Sequence, residues 1–145
     1  MENLFIVCLA CDAVNRVPSA KLSGKRKCGT RMFQAQLASL TDERLRRQIE
    51  WTSIPLLIDF WAAWCGPCES MAPQFERATA TLEPHMRLLK IDIDQSPELA
   101  SRFSIRSVPT LLLLKNGKEV ARTSGAMNAQ QIVSWAEKPI AASAA

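Results

Sequence analysis

Phe60-Trp61-Ala62-Ala63-Trp64-Cys65-Gly66-Pro67-Cys68 is the stretch that decides how this chain is read. Before it, Leu56 to Trp61 is almost wholly apolar, as expected of a short strand buried on both faces of a sheet, with Asp59 as its interruption. After it, Met71, Phe75, Ala78 and Leu82 recur at spacings of three and four, the pattern of an amphipathic helix, with Pro73 placed to kink it. The two cysteines therefore stand at a strand-to-helix junction. There the unpaired backbone N–H groups and the helix dipole favour negative charge, so Cys65 ionises more readily than a free thiol of pKa about 8.5 and is the candidate nucleophile. Cys68, three residues on, shares its helix face and is the candidate resolving thiol. Exchange at a substrate disulfide then passes through a mixed disulfide at Cys65 that Cys68 displaces. Cys68 needs a proton acceptor, and Asp59, raised in pKa by burial, is the candidate; the alternative is a strand residue at an exposed edge. Two cysteines alone cannot complete a four-ligand zinc site, and Gly66-Pro67 before a kinked helix is poor context for one.

Outward from this junction the punctuation is regular. Arg87 to Asp94 alternates, with Leu89, Ile91 and Ile93 on one face of a strand. Ser96-Pro97 opens a helix carrying Leu99, Ala100 and Phe103. Thr110 to Leu114 and Lys118 to Ser124 flank Asn116-Gly117, a two-residue hairpin turn. Asn128 with Gln131 resembles a capping box for a last helix with Ile132, Val133 and Trp135. Upstream, Ala35 to Leu40 is read as a strand, and Thr41-Asp42-Glu43 caps a helix with Leu45 and Ile49 inward, closed by Pro55. The fold class is α/β: a mixed central sheet with helices on both faces, parallel pairs from three helix crossovers and one antiparallel pair from the hairpin. The division is 1–34 as a loop-rich appendage without sustained periodicity, 35–138 as the main domain, and 139–145 as a frayed tail.

At 145 residues, with 48% hydrophobic and 22% charged, the chain suits one domain plus an appendage and excludes two large domains and disorder. No apolar run approaches the roughly 18 residues of a membrane-spanning helix. The net charge of +4 resides in residues 1–40, while the remainder balances. The basic groups there are scattered and carry no interleaved aromatics, so no nucleic-acid surface is indicated. Leu4 to Ala10 is apolar but follows Glu2 and lacks a basic start, which argues against a signal peptide. The compartment is read as cytoplasmic, where paired thiols are more often ligands or catalysts than bridges.

IDFWAAWCGPC, together with Pro73, Lys90 within LLKIDIDQSP, IRSVPT and KNG, strongly resembles thioredoxin over residues 35 to 138. The resemblance implies the thioredoxin fold, reduction of disulfide-containing proteins, and recharging by an NADPH-dependent flavoprotein thioredoxin reductase. It implies that Cys65 and Cys68 form the redox disulfide, Asp59 is the buried acid, and Lys90 is its basic partner. Trp64, Gly66 and Pro67 then shape the active loop. Val108-Pro109 becomes a cis peptide beside the thiols whose Val108 backbone pairs with the substrate, and Gly125 lines the groove. For Lys90, a plain exposed-strand lysine is the alternative. Glu69 departs from the family, where a basic residue often stands, and a carboxylate beside the thiols opposes thiolate formation and biases docking.

The first 34 residues resemble the N-terminal extension of bacterial thioredoxins of the second type, in which two CxxC pairs hold one zinc. Cys8 and Cys11 fit the first pair and Cys28 opens the second, but Arg31 stands where the fourth cysteine belongs. A guanidinium cannot be a ligand, so zinc needs water, Asp12 or another chain's group as its fourth partner. The alternative is an appendage whose thiols are unmetallated. His85, the single histidine, lies outside any ligand spacing.

The expectation is a monomeric disulfide reductase of CGPC type, with no cofactor for the redox step and a zinc ion as candidate in the appendage. Two rivals stand beside it. One is a binding or chaperone module on the same fold; the other is a redox or metal sensor acting through the N-terminal cysteines.

Overall fold

Leu56–Trp61 and Thr110–Lys115 supply almost uninterrupted apolar sequence and form the two inner strands of the four-stranded sheet, with Arg87–Asp92 beside Leu56–Trp61. The computed structural model describes residues 3–18 and 40–144. In chain order the elements are β1 (Asn3–Val7), β2 (Val14–Pro18), α1 (Asp42–Trp51), β3 (Leu56–Trp61), α2 (Gly66–Leu82), β4 (Arg87–Asp92), α3 (Pro97–Arg102), β5 (Thr110–Lys115), β6 (Lys118–Ser124) and α4 (Ala129–Ala144). The four-stranded sheet has the order β4-β3-β5-β6.

Period-two alternation divides the core between the two sheet faces. Leu56, Ile58, Phe60, Leu89, Ile91, Leu112 and Leu114 pack with Leu45 and Ile49 of α1 and Leu99 of α3. Leu57, Leu88, Leu111 and Leu113 pack on the other face with Met71, Phe75, Ala78 and Leu82 of α2 and Ile132 and Ala136 of α4. This is the expected α/β class, with helices on both faces. The strand directions differ from the expectation of several parallel pairs. Among the described residues only β3 and β4 run parallel, and β5 is antiparallel to both β3 and β6. The six residues of α3 extend about 9 Å at 1.5 Å each, too short to span the sheet and return the chain to the far end. Strand β5 therefore starts at the end where β3 finishes, which brings Pro109 to the thiols.

The caps behave as their chemistry requires. Thr41 accepts from the Arg44 N–H at 3.4 Å and starts α1. Asn128 and Gln131 exchange bonds reciprocally at 3.0 and 2.8 Å. Asn116 and Gly117 both have positive φ, as a type I′ hairpin turn needs. The last helix continues through Pro139 to Ala144, beyond the end expected at 138.

The N-terminal segment is a correction to the loop-rich expectation. β1 and β2 form an antiparallel hairpin, with Ile6 and Val17 buried against Ile54. Sequence periodicity missed it because β2 turns Asn15, not an apolar residue, inward; Asn15 is 5% exposed and donates to the Ala13 carbonyl at 3.0 Å. The hairpin is fastened to the main domain by polar groups. Val7 N donates to Thr52 Oγ1 at 3.2 Å, and Gln48 Nε2 donates to the Val7 carbonyl at 3.1 Å. The fully buried Arg87 donates from Nη1 to that carbonyl and to Gln48 Oε1. Arg87 pairs in register with Leu56 at the start of β3, so the hairpin sits at the opposite end of the sheet from Cys65. The strand expected over Ala35 to Leu40 lies outside the described residues, except for Leu40, which is not in a strand.

Candidate active site

The buried β3 strand ends at Trp61, and four residues later Cys65 takes the N-cap position of α2. Its Sγ accepts the Cys68 backbone N–H at 3.2 Å, the bond an ionised sulfur at a helix start would receive. Gly66 and Pro67 form the first turn, and proline is tolerated there because that N–H has no intrahelical partner. The turn brings the Cα atoms of Cys65 and Cys68 to 5.3 Å, and their sulfurs are joined as a disulfide. Both cysteines are buried, Cys68 at 3% exposure and Cys65 at 6%. They pack with Ala62, Trp61, Ile93 and Val108.

Val108-Pro109 is a cis peptide, and the Val108 carbonyl lies 3.6 Å from Cys65 Sγ. The Pro109 carbonyl accepts from Gly125 N at 3.0 Å, and Gly125 has φ of +101°, a backbone open to glycine. Thr110 Oγ1 donates to the Ser107 carbonyl at 2.6 Å and lies 3.2 Å from Ser124 Oγ, fixing the loop from both sides. Trp64 stands 69% exposed beside the thiols, its Nε1 donating to Asp94 at 2.9 Å. Glu69 is exposed in the first turn of α2. The Trp64–Asp94 bond and the Ser107–Thr110–Ser124 group escaped the sequence, because their partners are far apart in the chain and match no motif.

Asp59 is 1% exposed, and both its carboxyl oxygens lack a hydrogen-bond partner among the described residues. It alternates with Leu57, which packs against α2, so Asp59 points to the same face as that helix. Burial pushes its pKa up to about 7, while the Lys90 charge pulls the other way. The exposed-edge alternative for Asp59 is therefore wrong. Lys90 is its register partner across the parallel pair and lies half-buried, with Nζ 4.7 Å from the centre of the Trp61 ring.

A model of the family described as Thioredoxin matches residues 36–138. The chain belongs to the thioredoxin family. Over 141 residues it is 39% identical to "Thioredoxin C-3" of Corynebacterium nephridii, covering 94% of this chain and 96% of that protein. It is 34% identical over 128 residues to "Thioredoxin M-type, chloroplastic" of Chlamydomonas reinhardtii, covering 84% and 91%. The "Thioredoxin" of Rickettsia felis is 33% identical over 102 residues, covering 70% of this chain and 97% of its own length. A second family model, described as "Thioredoxin 2, N-terminal", matches residues 7–30. Like other thioredoxins, the chain is a protein-disulfide reductase, and its bonded cysteine pair occupies the position where dithiol–disulfide exchange takes place. Thioredoxins act on disulfide substrates, are reduced in turn by thioredoxin reductase, and need no cofactor for the redox step.

The cysteine pair is itself buried, and Trp64, Gly66 and Pro67 beside it are exposed. A groove of about 440 Å³ lies at the hairpin end, lined by residues including Phe5, Arg47, Trp51 and Asn116. No helix among the described residues is long and apolar enough to cross a membrane.

Of the expected metal residues, Cys8 and Cys11 lie in the turn between β1 and β2, while Cys28 and Arg31 are outside the described residues. Cys8 is buried, and its Sγ accepts N–H bonds from Ala10 and Cys11, both at 3.3 Å. Cys11 is exposed. Among the described residues no group of three or more candidate ligands gathers.

Proposed function

We propose that Cys65 is the attacking thiolate and Cys68 the resolving thiol of this reductase. The observation that carries the assignment is the N–H bond that Cys65 Sγ accepts at the N-terminus of α2, where negative charge is stabilised. In the reduced protein Cys65 thiolate attacks one sulfur of a substrate disulfide and expels the other as a thiolate. Cys68, deprotonated, then attacks Cys65 Sγ and releases the second substrate sulfur. The substrate gains two electrons and the protein is left with the Cys65–Cys68 disulfide. Asp59, with a pKa near neutrality, takes the Cys68 proton, and Lys90 biases Asp59 toward the carboxylate that can accept it. Trp64, Gly66 and Pro67 shape the face, while Val108, Pro109 and Gly125 bind the substrate chain. In a protein-disulfide reduction assay, Cys65→Ser is expected to lose all turnover. Retained turnover would refute the assignment, whereas a biological role of the parent chain that survives Cys65→Ser undiminished would favour the module reading.

The chain works as a monomer in the cytoplasm, recharged by an NADPH-dependent thioredoxin reductase, with no nucleic-acid partner.

The N-terminal unit holds zinc through Cys8, Cys11 and Cys28. The fit rests on Cys8, whose sulfur is an acceptor of two backbone N–H bonds, the environment of a thiolate ligand. The ion supplies a cross-link without redox chemistry of its own. Zinc analysis of the full chain, purified reduced and anaerobically, should give about one ion per chain. Negligible zinc would contradict this part of the reading and leave the reductase untouched.

A further inference from the structure

The Cys8–Cys11 turn is gripped from outside by α1. The turn is closed by Cys8 N donating to the Ala13 carbonyl and Asp12 N to the Cys8 carbonyl, each at 2.9 Å. Asp12 takes the left-handed conformation, φ 61°, which Asp and Asn tolerate better than most residues. Both oxygens of its carboxylate accept from Arg44 Nε, at 2.8 and 3.0 Å. Arg44 also donates from Nη2 to the Leu9 carbonyl, and Arg47 Nε donates to the Asp12 carbonyl at 2.6 Å. Two arginines more than 30 positions along the chain thus hold the residues on either side of Cys11.

With Arg31 standing where a fourth cysteine is expected, Asp12 is the obvious carboxylate to complete a zinc site. Its geometry argues for another use. A carboxylate that accepts a guanidinium N–H on both oxygens makes charge-assisted bonds that would have to break before it could bind a metal. The same bonds remove freedom from the turn that carries Cys8 and Cys11, so that less ordering remains when an ion binds. We propose that Asp12 and Arg44 act as a brace that positions the Cys8–Cys11 turn for zinc, and that Asp12 is not itself a ligand. This rests on the zinc reading above. It makes metal affinity of the appendage a property shared with α1 of the thioredoxin domain.

The test is titration of the reduced full chain with Zn²⁺, and with Co²⁺ to read its ligands by absorption. Arg44→Ala should weaken binding by about 10- to 100-fold, the usual effect of removing a partner that orients a ligand. Asp12→Asn, which keeps the turn's backbone, should weaken it in the same direction with the Co²⁺ band positions unchanged. The double variant should lose no more than the worse single one, because the two residues act as one unit. Disulfide reduction at Cys65 should stay at the parent level in all of them and so reports folding. Should Arg44→Ala fail to fold, Asp12→Asn alone carries the test. Tighter binding by Arg44→Ala, or shifted Co²⁺ bands in Asp12→Asn, would make Asp12 a ligand that Arg44 restrains, overturning the brace. Unchanged affinity in both variants would overturn it while leaving the zinc site standing. Failure of the parent chain to bind either ion would overturn the brace together with the zinc reading.

Discussion

Asp59 and Lys90 are register partners across the parallel β3–β4 pair, yet the carboxyl is sealed in the core while the ammonium lies over the Trp61 ring. Desolvation therefore dominates the carboxyl, and the lysine offsets only part of it. The result is an acid poised near neutral pH on the sheet face that α2 covers.

That poise has a stability signature. Between the unfolded value of 3.8 and the folded value of about 7, the native oxidised protein keeps a proton that the unfolded chain releases. Stability should accordingly fall as pH rises through this window, by on the order of 4 kcal/mol in full. Asp59→Asn should be more stable than the parent at pH 8 and indistinguishable from it below about pH 4. Urea unfolding of the oxidised proteins at several pH values checks this. A difference that does not change with pH would contradict it.

Arg87 carries the second prediction. Its guanidinium is fully buried and ties the Val7 carbonyl of the hairpin to Gln48 of α1. Arg87→Met keeps the bulk of the side chain and leaves these acceptors short of a donor, which should cost about 2 kcal/mol in chemical denaturation. Exchange of the Val7 amide should accelerate as the hairpin loosens, while reduction at Cys65, at the far end of the sheet, should hardly change.

Gly125 carries the third. A Cβ there would meet nothing within 4 Å, so any penalty comes from the backbone φ of +101°. Gly125→Ala should destabilise by about 1–2 kcal/mol. Because Gly125 N holds the Pro109 carbonyl, kcat/KM should drop more for a protein disulfide than for a small aromatic disulfide. Equal losses on both would separate Gly125 from the substrate face.

The strongest local signals in the sequence corresponded to structure residue by residue. Leu56–Trp61 is a strand over the span its apolar run suggests, and the Asn116-Gly117 turn and the Asn128/Gln131 capping box are formed. These features depend on neighbours a few positions apart. What the sequence did not disclose depends on distant partners. The direction of β5 follows from how little of the sheet α3 spans, and the β1–β2 hairpin draws its burial from Ile54, Gln48 and Arg87. At the site, the cysteine pair and Asp59 were legible from their strand-to-helix context. The cis Val108-Pro109 bond and Gly125 came only through the family resemblance, since neither spacing nor composition specifies a backbone meeting a thiol from 43 residues away.

Cys65 attacks and Cys68 resolves. The most direct test is to mix reduced Cys68→Ser with a disulfide-containing protein and map the covalent adduct by mass spectrometry. A stable mixed disulfide at Cys65 is expected, which the parent chain does not accumulate because Cys68 releases it. An adduct mapped to Cys8, Cys11 or Cys28, or full turnover without Cys68, would contradict it.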